Sequence, residues 1–205
     1  MLFEQGNCAM VYALDSSMEP RYRISWHATD DVTKLLLNAG KPVDVSGLDL
    51  RFIKRSNKGK LSDFPYGLGG KFTCSPAFRN VVEELEPNTH QFIPVDVFKK
   101  DGSKSDEVIF LVNLLARIDF IDTENSKGLT PLKTLGGNDY FDVDRVDGRF
   151  ALSIKSEIIG RRHFWRSGGL TFGAFIDHFF CSDEAHDLIL SRSLTDINFT
   201  PVRLT

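Results

Sequence analysis

FTCSPAFRNVVEELEPNTHQFIPV, residues 72–95, aligns without gaps on FFCSDEAHDLILSRSLTDINFTPV, residues 179–202. Six of the 24 positions are identical, namely Phe72/Phe179, Cys74/Cys181, Ser75/Ser182, Phe92/Phe199, Pro94/Pro201 and Val95/Val202, all at one offset of 107 residues. Each copy opens a helix. Ser75 before Pro76, and Ser182 before Asp183 and Glu184, supply an N-cap hydroxyl followed by residues that suit the first turn. Phe78, Val81, Val82 and Leu85 then form one apolar stripe, and Ala185, Leu188 and Ile189 occupy the matching places, with Arg192 at the last. After each helix an extended segment, QFIPVDVF or NFTPVRL, carries a proline that removes an amide donor and suits a strand start or edge. Two distant copies predict a duplicated helix and edge-strand core over residues 72–205, not a stacked solenoid.

Between the copies, KKDGSKS (99–105) is a polar turn, and VIFLVNLLARIDFI (108–121), the most apolar segment, predicts a central strand. The tract GGNDYFDVDRVDGRF (136–150) is acidic and turn-rich, after which Phe150, Leu152 and Ile154 alternate as a strand does. Towards the N-terminus, strands over 8–14 and 21–26 are separated by Asp15, Ser16, Ser17 and Pro20, which predicts a hairpin. Thr29 and Asp30 can cap a short helix bearing Val32, Leu35 and Leu36, with Gly40 as a left-handed stop, and Leu48, Leu50 and Phe52 alternate beyond it. RSNKGKLSDFPYGLGGK (55–71) has no stable period and predicts an exposed loop. The expectation is one α+β domain over residues 1–205: a mixed, mainly antiparallel sheet carrying two repeat-related helices, with an N-terminal hairpin lobe over 1–54.

The 17 Phe are spread from Phe3 to Phe199 among polar residues, as core aromatics are. A net charge of −3 from 28 acidic and 25 basic residues gives no field that would favour nucleic acid. No segment has the length of a membrane span and the first residues lack a secretory pattern, so a cytoplasmic protein is expected. Cys8, Cys74 and Cys181 form no CxxC pair and read as reduced, buried thiols.

Chemistry-bearing motifs are sparse. The Gly67–Gly70 run matches no phosphate-loop pattern, and no GxSxG or HExxH occurs, which argues against an enzyme and against a cofactor. The rival enzymatic or ligand-binding reading uses His178, Cys181 and His186 in an HxxCxxxxH spacing as metal ligands. The repeat weighs against it, because His178 and His186 fall opposite Lys71 and Arg79, which do not hold zinc. From Asp142 onward the chain has the spacing of a calcium loop, but Asp147 stands where glycine is required and Ser153 where a bidentate Glu is required. Asp139, Tyr140, Asp142, Asp144 and Asp147 could instead face a basic cleft of a partner protein. In RRHFWRSGGLTFGAF (161–175), Arg161, Arg162, His163, Trp165 and Arg166 combine the residue types that anchor interfaces, of which Arg162, Trp165 and Arg166 are the named candidates. The competing explanation is a Trp and a Phe packed beneath surface arginines.

The helix CSPAFRNVVEEL with QFIPVDV, the strand FLVNLLARIDFIDTENS, and the closing helix CSDEAHDLIL with NFTPV together resemble the bacterial immunity-protein family imm11 over residues 45–205. That family is found beside polymorphic and contact-delivered toxins, including those of type VI secretion. The resemblance implies a cytoplasmic protein that binds a cognate toxin and occludes its active site, and it carries over no catalytic residue; composition and motifs point to no cofactor, no nucleic acid and no membrane partner. It implies nothing about oligomeric state.

Overall fold

The computed structural model describes residues 10–16, 26–35, 37, 39–54, 61–65, 71–127, 129–133, 139–143, 145–146, 149–150, 152–168, 171–172 and 179–202. In chain order they form β1 (Val11–Ser16), β2 (Trp26–Ala28), α1 (Asp30–Lys34), β3 (Arg51–Lys54), β4 (Thr73–Cys74), α2 (Pro76–Leu85), β5 (Gln91–Phe98), β6 (Ile109–Asn113), β7 (Arg117–Ile118) and β8 (Ile121–Asp122). There follow β9 (Leu129–Lys133), β10 (Asp139–Val143), β11 (Arg145–Val146), β12 (Arg149–Phe150), β13 (Ser153–Ile154), α3 (Ser156–Ile159), β14 (Phe164–Ser167), β15 (Thr171–Phe172), β16 (Phe179–Ser182), α4 (Asp183–Ser191) and β17 (Ile197–Val202). Mixed, mostly antiparallel open sheets with short helices make this an α+β fold, as expected. No helix among the described residues is long and apolar enough to cross a membrane.

The repeat serines cap their helices: Ser75 Oγ accepts from the amides of Ala77 and Phe78, and Ser182 Oγ accepts from that of Ala185. The stripes then fold inward, burying Phe78, Val81 and Val82 on α2 and Ala185 and Ile189 on α4. Full burial of the Phe, Val and Ile side chains among them contributes about 1.5–3 kcal/mol each.

Strand pairing makes the duplication physical. The five-stranded sheet runs β2-β3-β5-β6-β4, and the seven-stranded sheet runs β11-β12-β17-β1-β16-β14-β7. In the first, Cys74 and Pro94 lie opposite Phe110 on either side of β6. In the second, Cys181 and Pro201 lie opposite Tyr12 on either side of β1. The N-terminal strand therefore does for the second copy what β6 does for the first. Further out, β3 joins β5 in parallel and β12 joins β17 in parallel. Even the faces agree. Val11 and Ala13 of β1 turn to a core with Trp165 and Phe180, whereas Leu14 turns to the core holding both helix stripes. On β6, Ile109 and Leu111 turn to a core with Phe52 and Val97, while Phe110 and Val112 turn to that same helix-bearing core. Each sheet thus has a core of its own, and the two share a third that contains α2 and α4.

Among the described residues the expected N-terminal hairpin is not formed, and residues 21–25 of its second strand lie outside them. Both edges of β1 are occupied, by β16 and β17, and β2 pairs with β3 instead. Asp15 and Ser16 belong to the strand, and the Ser16 hydroxyl donates to Asp196 at 2.9 Å. Helix α1 stops at Lys34, short of Gly40, and Thr29 makes no side-chain cap; its hydroxyl donates to the Asp49 carbonyl. In place of one sheet carrying two helices there are two large sheets, a three-stranded sheet β15-β10-β9 and the pair β13-β8.

Within the stretch expected as an exposed loop, residues 55–60 and 66–70 lie outside the described residues, and none of the part that is described is exposed: Phe64 is 1% exposed and Ser62 2%, with Leu61, Asp63 and Lys71 half-buried. The second copy gives the reason. The Ser75 amide donates to the Asp63 carbonyl at 2.9 Å, and the Ser182 amide donates to the His163 carbonyl at 3.1 Å. Phe64 and Phe164 follow, both buried in the shared core and both packed against Phe78, with ring centroids 5.0 and 6.1 Å away. Leu61–Pro65 is therefore the counterpart of the segment that becomes β14.

Candidate functional site

A concavity opens beside the start of α4. It is an open groove of about 640 Å³ lined by Gly160, Arg161, Arg162 and His163 on one side and by Ser182, Asp183, Glu184 and Asp187 on the other. Gly160, with φ +62°, ends α3 and turns the chain so that Arg161 and Arg162 reach solvent. His163 forms the floor, its Nδ1 3.0 Å from Ser182 Oγ and 3.8 Å from Glu184 Oε2.

Behind His163 lies a buried carboxylate. Glu86, just past α2, accepts from the amide of His163 at 2.9 Å, the amide of Phe164 at 3.2 Å and His90 Nε2 at 2.7 Å. Since His90 Nδ1 accepts from the Leu115 amide, the ring is a neutral Nε2–H tautomer donating to Glu86. Burial pushes the Glu86 pKa up, but the His90 hydrogen bond and the two amides outweigh it and hold the carboxyl below its ordinary range. Sequence reasoning missed this pair; its one local signal was an acid and a histidine four residues apart at the end of an apolar stripe.

Of the residues singled out in the sequence, Arg162 is exposed on the groove. Trp165 is 0% exposed and Arg166 3%, so neither presents the surface an interface anchor needs, and the packing explanation holds for this pair. In the outer core Trp165 meets Phe120 edge-on and lies parallel to Phe180, and the Arg166 guanidinium lies 5.4 Å from the centroid of Phe179. Glycine at position 168 has a steric cause: a Cβ there would stand 2.9 Å from the Ile118 backbone nitrogen. Asp139, Tyr140 and Asp142 fall on β10, the middle strand of the three-stranded sheet, where Asp139 pairs with Lys133 and Asp142 with Thr130. Asp144 and Asp147 lie outside the described residues.

The metal-ligand reading does not survive the fold. His178 lies outside the described residues, and Cys181 is fully buried in the shared core, where desolvation pushes its thiol pKa well up. His186 stacks on Tyr12 with centroids 4.0 Å apart and meets Phe199 edge-on at 4.7 Å. In the first copy Arg79 sits over the equivalent rings, 4.9 Å from Phe110 and 5.9 Å from Phe92. The place therefore calls for a flat or cationic group on two aromatic rings, and His186 fills it. Asp183, His186 and Asp187 can bring ligand atoms within 4.8 Å of one another, but Asp183 already accepts from the Tyr12 hydroxyl and Asp187 is exposed.

Two sheets share one core, and a solvent-open groove lies beside the start of α4. The family model described as the immunity protein family (Imm11) matches residues 5–203. The chain belongs to the Imm11 immunity protein family. A search of the curated proteins finds no match. The Imm11 match reaches further toward the N-terminus than the sequence motifs indicate, in keeping with the place of β1 at the centre of the second copy.

Proposed function

We propose that this Imm11 protein acts without catalysis, in the cytoplasm of the bacterium that makes it, by binding a cognate toxin of a polymorphic, contact-delivered system and covering the toxin's active cleft. Membership of the family over residues 5–203 carries the proposal. The cores support it: a platform buried on three levels loses little conformational freedom on binding, which favours a tight complex. The acidic tract Asp139, Tyr140, Asp142, Asp144 and Asp147 is the element proposed to enter a basic cleft, where its carboxylates speed encounter and compete with an anionic substrate.

The test is the purified toxin encoded beside this protein. Reversing Asp142 and Asp144 together to Lys should slow association roughly tenfold at low salt, with the melting temperature preserved. Unchanged association kinetics would remove the acidic tract from the interface, and full toxin activity in the presence of saturating wild-type protein would remove occlusion.

A further inference from the structure

We propose that the groove between Arg161–Arg162 and Asp183–Glu184–Asp187 is a docking site for a segment of the partner toxin that carries an acidic and a basic side chain close together. The inference rests on the immunity reading above and adds the surface and the chemistry of the element it receives.

Three observations carry it. The groove's volume of about 640 Å³ lies in the range of binding pockets, and it is open, which suits an inserted protein segment better than an enclosed metabolite. Its two walls carry opposite charge and do not neutralise each other. Among the described residues, neither Arg161 nor Arg162 has an ion-pair partner, and Glu184 has only the 3.8 Å approach of His163. Charges held apart across an open groove keep their field available to a third group placed between them.

The first copy supplies an internal control. The registers place Leu61, Ser62 and Asp63 where the second copy has Arg161, Arg162 and His163, and Pro76, Ala77 and Asn80 where it has Asp183, Glu184 and Asp187. Helix α2 begins on Ser75 with no acid in its first turn, so the scaffold does not require carboxylates there. Asp63 is instead consumed internally, accepting from Ser75 Oγ at 2.7 Å and from the amide and hydroxyl of Thr195 at 2.9 and 2.8 Å. The same backbone carries a charged groove of about 640 Å³ in one copy and, beside the matching Ala77 and Asn80, a smaller concavity of about 190 Å³ in the other. Charges the fold does without in one copy are assigned to recognition in the other.

The experiment measures binding of the purified toxin encoded beside this protein to wild type, Arg161→Glu/Arg162→Glu and Glu184→Arg/Asp187→Arg, at low and at physiological salt. Asp183 is left in place because it accepts from the Tyr12 hydroxyl. Each reversal should weaken binding roughly tenfold or more, mostly through slower association, and the difference should shrink as salt rises. Circular dichroism and a thermal melt check the fold, and Arg161→Ala/Arg162→Ala gives a milder readout should a reversal fail to fold. Wild-type affinity in both charge-reversed proteins overturns the docking site while leaving the immunity reading standing. If wild type does not bind that toxin at all, the immunity reading fails and the docking site falls with it.

Discussion

The two copies share their caps, stripes and strand registers, and differ in how each is closed. The first copy is continuous, since β5 turns back directly into its central strand β6. The second takes its central strand, β1, from the far end of the chain. They also grip each other reciprocally. Glu86, after the first helix, accepts from the amides of His163 and Phe164 in the second copy, while Thr195, after the second helix, donates to Asp63 in the first. Each unit holds the other with the turn after its own helix, as the halves of a twofold-symmetric dimer do, but with different residues, since Glu86 falls opposite Ser193 and Thr195 opposite Asn88. Equivalence therefore marks what the scaffold needs, and divergence marks the positions free for recognition.

The largest expected effect is in the shared core. Phe64→Ala and Phe164→Ala should each cost about 3–5 kcal/mol in urea unfolding, because both rings are fully buried against Phe78. A Phe64→Ala cost near that of a surface substitution would break the equivalence of Leu61–Pro65 with β14. Next comes the asymmetric grip. Glu86→Gln should cost about 2 kcal/mol at neutral pH, since three donors lose a charged acceptor in a buried place. The folded carboxyl titrates below its ordinary range, so the unfolded state binds the proton first as pH falls. Its contribution is then complete above about pH 4.3, the unfolded glutamate value, and is lost as pH drops through the lower folded value. Melting temperature against pH should show a shallower acid decline in Glu86→Gln than in wild type. Smaller still are the caps: Ser182→Ala should cost about 1 kcal/mol. Ser75→Ala should cost more, because that hydroxyl also donates to Asp63, whereas the Ser182 hydroxyl meets a histidine ring. Equal costs would mean that the Asp63 bond adds nothing to the cap.

What the sequence revealed and what it hid divide by range. Caps, stripes and the proline-marked strands are local, so SPAF and SDEA announced their helices unaided. The role of β1 was hidden because its partners stand at the other end of the chain, and Val11–Ser16 alternates as any hairpin strand would. Phe64 was hidden by its polar neighbours, and only the counterpart Phe164 reveals it as core. At the candidate site Arg162 was picked for its residue type alone, and its exposure on the groove comes from the turn after α3. Trp165 and Arg166 were misread because an aromatic beside an arginine looks the same in an interface and in a core. The groove itself needs α4 and the turn after α3 brought together, which no local pattern encodes.

The smallest expected effect tests the whole comparison. If β1 is to the second copy what β6 is to the first, the chain order should be exchangeable: join Thr205 to Met1, and open the chain in the polar turn at Asp101 and Gly102, both exposed. Thirteen residues separate Val95 from Ile109, and after the joining thirteen would separate Val202 from Val11, so the new hairpin matches the old in length. The permuted chain then makes the second copy continuous and leaves the first to receive its central strand from the far terminus. The opened turn sacrifices only short local bonds, such as the Gly102 amide donating to the Lys99 carbonyl, and loop closure depends weakly on length. A single cooperative unfolding transition within a few degrees of wild type is expected, followed by calorimetry and far-ultraviolet circular dichroism. A permuted chain that folds only in part would show that β1 and β6 share a register without sharing a role.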